Sequence, residues 1–179
     1  MKLLGLCGSL RAASTNHALL QAAAREVPAG VQLQVFEGLG AIPLFSPDAD
    51  EAVPAPAPVA ALRRAVAEAE GLVIACPEYA HGIPGAFKNA LDWIVGSNEM
   101  TDKPTTFLAA SVPPRGLLVR EALIEVLGAM SARLVLDCCG AVPLMGKRPE
   151  EAARILAEAV HRQTLRASLE AFVGAIRVR

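Results

Sequence analysis

At 179 residues and a formal net charge of −1, the chain has the size of one hydrophobic core and lacks the basic excess that nucleic-acid binding demands. Hydrophobic residues make up 53%, yet alanine supplies many of them, and no run of about 20 apolar residues exists to span a bilayer. Near neutrality also argues against an electron carrier that docks to redox partners through a strongly acidic face. The opening residues show no succession of basic segment, apolar stretch and cleavage site, so a cytoplasmic location is expected.

The first predicted element is a buried strand over Leu3 to Cys7, followed by Gly8, which permits a sharp turn where a Cβ would crowd a ligand. In the loop CGSLRAASTN, Ser9, Ser14 and Thr15 supply hydroxyls and Arg11 a planar cation. Asn16 starts a helix reaching Val27, continued by Leu19, Leu20 and Ala23. The first N–H groups of a helix lack intrahelical partners and carry the positive end of its dipole, which suits a phosphate monoester. Neither GxxxxGK[ST] nor GxGxxG is present. Taken alone, the stretch also fits an ordinary capped helix after a strand.

Val31 to Phe36 reads as the second strand. Residues 37–58 then carry Pro43, Pro47, Pro54, Pro56 and Pro58, a segment too long for an ordinary connection. It either borders a site, with Leu44 and Phe45 leaning over a ligand or a partner subunit, or is a surface excursion. A helix over Val59 to Glu70 and a strand over Leu72 to Cys76 follow. That strand belongs to GLVIACPEYAHGIPGAFKNALDW, which breaks at Pro77 and re-enters a helix over Ala86 to Val95. Phe87, Leu91, Ile94 and Val95 form an apolar stripe on this helix, with Trp93 on another face.

Next come a strand over Thr105 to Ala110 and the loop LAASVPPRG, where Pro113 and Pro114 remove two donors and favour extended residues before them. A helix over Leu117 to Met130, a strand over Leu134 to Cys138 and one long helix over Pro149 to Val173 complete the pattern. Five strands alternating with five helices predict a single α/β domain over residues 1–179, a parallel three-layer sandwich. Ligands of such sheets lie beyond the carboxyl ends of the strands, where the strand order reverses. Cys7, Cys76, Cys138 and Cys139 form no CxxC pair and read as reduced and structural, with Cys138 and Cys139 on opposite faces. No triad signature such as GxSxG supports hydrolase chemistry.

Two ordered motifs carry a family resemblance. GSLRxxSxN is met at Gly8, Ser9, Leu10, Arg11, Ser14 and Asn16. PEYNxxxPGxLKNAxDW is met at Pro77, Glu78, Tyr79, Pro84, Gly85, Lys88, Asn89, Ala90, Asp92 and Trp93. With both, the chain resembles the NADPH-dependent FMN reductase family. The resemblance implies a flavodoxin-like sandwich whose five-stranded parallel sheet has the order 2-1-3-4-5. It implies non-covalent FMN, with Ser9, Arg11, Ser14, Thr15 and Asn16 around the phosphate and Pro77, Glu78 and Tyr79 bordering the ring. Ala80 stands where the family usually has Asn, and His81 and Gly82 complete that loop. Ser111, Arg115 and Gly116 occupy the position of a glycine-rich turn and are expected to contact flavin or nicotinamide.

The implied activity is ping-pong transfer from NADPH or NADH through FMN to a small acceptor: a quinone, azo or nitro compound, chromate or free flavin. Arg11 or Arg115 would meet the 2′-phosphate of NADPH. The cofactor carries the hard chemistry, so no dedicated catalytic residue is expected. His81 is either a proton donor to the reduced acceptor or a loop or interface contact. A reductase using FMN as a diffusible substrate and a flavin-binding carrier or regulatory protein with little turnover remain as alternatives. A homodimer or homotetramer is expected, with Phe87 or Trp93 near the contact, unless Trp93 belongs to the core.

Overall fold

The computed structural model describes residues 1–51 and 54–178, so Ala52 and Val53 of the proline-rich excursion, and Arg179, lie outside the described residues. The strands are β1 Lys2–Cys7, β2 Gln32–Val35, β3 Gly71–Ala75, β4 Pro104–Ala109, β5 Arg133–Leu134 and β6 Gly140–Ala141. The helices are α1 Thr15–Ala23, α2 Pro47–Asp50, α3 Ala57–Glu68, α4 Gly85–Val95, α5 Leu117–Ala129, α6 Pro149–Ala157 and α7 Ala159–Arg177.

The sheet runs β2-β1-β3-β4-β5 with every pair parallel, the order expected. Both faces of β1 and β3 are covered by helices, which is why their sequences are continuous apolar runs. β2 lies at the edge and alternates exposed with buried residues. Leu19, Leu20, Leu165, Leu169 and Phe172 fill the core on the side of α1, α6 and α7. On the other side Leu62, Val66, Phe87, Leu91 and Leu123 fill the core beneath α3, α4 and α5. Among the described residues no helix is long and apolar enough to cross a membrane.

The fifth strand departs from the expected continuous run. β5 pairs Leu134 with Thr105, the chain then leaves the ladder in a 3-10 turn at Leu136–Cys138, and β6 re-pairs Gly140 with Leu108. Side chains replace the missing ladder bonds. The Thr106 hydroxyl donates to the Val135 carbonyl at 2.9 Å, and the Ser168 hydroxyl donates to the Cys138 carbonyl. Cys138 and Cys139 nevertheless join opposite cores, as expected. All four cysteines are free thiols.

The long helix expected from Pro149 to Val173 is two helices. Glu158 is extended, with φ −64° and ψ 138°, and no glycine or proline marks the break. Bending there lets α6 bury Ala152, Ile155 and Leu156 while α7 buries Leu165, Leu169 and Phe172 on a different line. Glu26, in the turn after α1, pins α7: it accepts hydrogen bonds from Arg162 at 2.6 Å and from Arg166 at 2.7 Å. Its side chain is only 4% exposed.

The Arg162 hydrogen bond, aided by Arg166 and opposed by desolvation, holds the Glu26 carboxyl below its ordinary value of 4.5. A lowered folded-state pKa contributes stability above the ordinary value and loses it as pH falls through that range. Melting temperature should therefore fall more steeply below pH 4.5 in the native protein than in Glu26→Gln. Parallel acid limbs for the two proteins would contradict this role.

The proline-rich excursion is clamped onto α4. The Asn89 side chain accepts from the Phe45 N–H at 2.8 Å and donates to the Pro43 carbonyl at 2.8 Å. Trp93 Nε1 donates to the same carbonyl at 2.7 Å, and Phe45 meets the indole edge-on at 5.3 Å. Arg63 of α3 bridges the Asp50 carboxylate and the Trp93 carbonyl. Phe45 thus folds back onto the protein, whereas Leu44 is 86% exposed. This corrects one expectation: Trp93 is 0% exposed within the single chain and Phe87 is equally interior, so neither side chain is left for a partner subunit.

Candidate active site

The carboxyl ends of β1, β3 and β4 and the segment after β6 surround one cleft of about 260 Å³. It lies where the strand order reverses across β1 and β3, the position at which open parallel sheets bind ligands. Ser9, Arg11, Ser14, Thr15, Asn16, Pro77, Glu78, Tyr79, Ser111 and Gly116 all line it. Ala80, His81, Gly82 and Arg115 do not. Cys76, Ala110, Met145 and Gly146 line it without having been expected at a site from the sequence. Met145 and Gly146 follow the interrupted fifth strand, and their position beyond a strand end was the available signal.

Around the first loop, Ser14 caps α1 by accepting the His17 N–H at 3.2 Å, and its Oγ also lies 3.8 Å from Cys7 Sγ. Ser9 accepts the Arg11 N–H at 3.2 Å and so holds the loop turned. His17 points away, to Glu37 at 2.9 Å. Asn16 is buried, and its Oδ1 has no hydrogen-bond partner among the described residues. A sealed acceptor of this kind fits a hydroxyl-bearing ligand.

Gly8 is needed for a reason other than the one read from the sequence. Its φ is not positive, and it donates to the Ala75 carbonyl at 2.9 Å. A methyl group there would overlap Cys76 Sγ and stand 3.2 Å from Cys76 Cα. Glycine serves the close approach of β1 to the end of β3. Burial pushes the Cys76 thiol well above its ordinary pKa, so it stays a neutral part of the cleft wall.

The second loop is built by its backbone. Tyr79 and Gly82 exchange both main-chain bonds, at 3.2 and 3.0 Å, around Ala80 and His81, whose φ values are 49° and 63°. Two left-handed central residues make a tight turn that Asn and Gly fill best, and a Cβ there costs on the order of 1 kcal/mol. Ala80, His81 and Gly82 therefore shape the loop rather than line the cleft, and His81 is 81% exposed. Glu78 reaches across to accept the Val119 N–H at 3.2 Å. It caps the start of α5, where Gly116 offers no side chain.

The third loop is a compact turn containing a cis Pro113–Pro114 peptide. The Ser111 hydroxyl donates to the Arg115 carbonyl at 3.2 Å. Gly116 has φ 80°, and a Cβ on it would lie 2.6 Å from Ser111 Oγ. The Arg115 guanidinium turns to Met145 Sδ at 3.3 Å, across the rim.

A profile of the family described as NADPH-dependent FMN reductase matches residues 1–145, which hold every cleft residue except Gly146. The chain belongs to this family. A quinone reductase of Escherichia coli (strain K12) is 33% identical over 104 residues, 58% of this chain and 54% of that protein. The chain thus spans about half the length of that relative. A 2-hydroxy-1,4-benzoquinone reductase of a Burkholderia species is 34% identical over 125 residues, 68% of this chain and 67% of that protein. The solved structure of FerB from Paracoccus denitrificans, titled a flavoenzyme NAD(P)H:(acceptor) oxidoreductase, superposes with a TM-score of 0.79. It covers 99% of this chain and 97% of that one at 22% identity, a likeness of fold alone. That fold is flavodoxin-like.

The residues present fit the family's FMN. The hydroxyls of Ser9, Ser14 and Thr15, the Arg11 guanidinium and the first turn of α1 offer donors to a phosphate. The unpartnered Asn16 oxygen offers an acceptor to a hydroxyl.

Proposed function

We propose that the cleft binds FMN and that the protein is an NAD(P)H-dependent oxidoreductase acting on small acceptors, quinones foremost. The observation that supports this most is the convergence of two separate motif loops on one cleft at the reversal of strand order. Bound flavin supplies the relay of a hydride equivalent from nicotinamide to acceptor. Ser9, Arg11, Ser14, Thr15 and Asn16 hold the phosphate end. Pro77, Glu78 and Tyr79 border the ring, with Glu78 fixing that loop against α5 through the Val119 N–H. Ser111 and Gly116 close the opposite wall. The names of the quinone-reducing relatives favour quinones over azo, nitro, chromate or free-flavin acceptors. A cytoplasmic homodimer or homotetramer completes the reading, on the strength of the resemblance.

The test begins with the absorption spectrum. Flavin bands near ~375 and ~450 nm should survive gel filtration and bleach under anaerobic NADPH or NADH. Double-reciprocal plots with varied quinone should be parallel. Retained flavin that no nicotinamide bleaches would replace this reading with a carrier role. Protein that loses its flavin but turns over when FMN is added would make FMN a substrate.

A further inference from the structure

Beside the cleft lies a cavity of about 200 Å³ beneath the start of α5, with Ile74, Phe107 and Leu123 among its apolar walls. The two spaces share Cys76, Ser111 and Gly116. Arg115 and Arg120 both line the cavity, and no carboxylate is among its described lining residues. Among the described residues, Arg120 Nε is sealed from solvent without a partner, and Nη2 meets Cys139 Sγ at 3.8 Å. A guanidinium carries donors only, so the partner of Nε must be an acceptor. A carboxylate or phenolate is an acceptor that the planar fork matches.

We propose that this cavity is the acceptor subsite and that Arg120 selects quinones carrying a negative charge on the ring. The proposal rests on the reductase reading above. An apolar cavity of roughly 150 Å³ is enough for a benzene-sized molecule, so one ring fits. The apolar walls take the ring, Arg120 takes its anionic substituent, and Cys76, Ser111 and Gly116 border both this cavity and the flavin cleft. The quinone gains a hydride equivalent from NAD(P)H by way of FMN and a proton from solvent. It leaves as the hydroquinone, with NAD(P)⁺ as the other product.

Calorimetric titration of the purified holoprotein with benzoate and with benzamide reads the cavity without turnover. Benzoate should bind about tenfold more tightly or better, the scale of one hydrogen-bonded charge. In turnover, kcat/KM for para-benzoquinone carboxylate over its methyl ester should favour the acid by a similar factor and approach parity in Arg120→Gln. Equal binding of benzoate and benzamide overturns the subsite even if Arg120→Gln does not fold. So does an acid-to-ester ratio that persists in a folded Arg120→Gln. Absence of flavin bleaching would instead overturn the reductase reading, and the calorimetric result would still stand on its own.

Discussion

Trp93→Ala should destabilise the protein by about 3–5 kcal/mol, the usual cost of emptying a fully buried aromatic site. The indole is entirely interior, packs edge-on against Phe45, and donates to the Pro43 carbonyl at 2.7 Å. Truncation leaves that carbonyl with only the Asn89 amide as its side-chain donor. It also frees the excursion that Asn89 and Trp93 together hold against α4. Trp93→Phe keeps most of the volume and loses the hydrogen bond, so it should fall between the two. Denaturant unfolding followed by far-UV circular dichroism measures the series. A loss below about 1 kcal/mol for Trp93→Ala would show the site collapsing around the gap. Because the side chain is interior, light scattering of the folded variant should give the same particle mass as the parent.

Gly8→Ala should cost about 1–3 kcal/mol of stability and weaken FMN at least about tenfold, because overpacking at the strand ends displaces the cleft wall. The added methyl meets Cys76 Sγ, and Cys76 lines the cleft, so the thiol or the strand end must move. Cys76→Ala introduced alongside it should recover part of both losses. Recovery stays partial because Cys76 Cα and Cβ both remain 3.2 Å from the new methyl. Thermal melting measures the packing effect independently of flavin, and quenching of FMN fluorescence measures the affinity. An unchanged melting temperature together with unchanged quenching would mean that β1 and β3 separate freely at this point.

Much of the cleft is legible in the sequence because its signals are local. The apolar runs at Leu3 to Cys7 and Leu72 to Cys76 announce strands buried on both faces. The hydroxyl-rich loop before α1 and the break at Pro77 mark where the chain turns toward a ligand, although the cap is Ser14 and not the Asn16 expected. The family resemblance that the two motifs carry implies the strand order and ten of the residues around the cleft.

Local signals also mislead where a neighbour far along the chain decides. Trp93 reads as a residue without burial until the excursion folds over it, bringing Pro43 to the indole. Glu78 reads as a residue at the flavin ring, yet its carboxylate also caps a helix beginning at Leu117. Gly8 reads as a ligand-facing glycine, and Cys76 is what excludes a side chain there.

The sequence by itself determined the alternation of strands and helices, the helix start at the first loop and the candidate loops, because periodicity, capping and proline act over a few residues. The tertiary structure alone decided the break at Glu158, the interrupted fifth strand, the burial of Trp93 and the unpartnered Nε of Arg120. Each of these depends on which distant surface a segment meets, and packing against that surface, rather than the propensity of the segment, selects the final geometry.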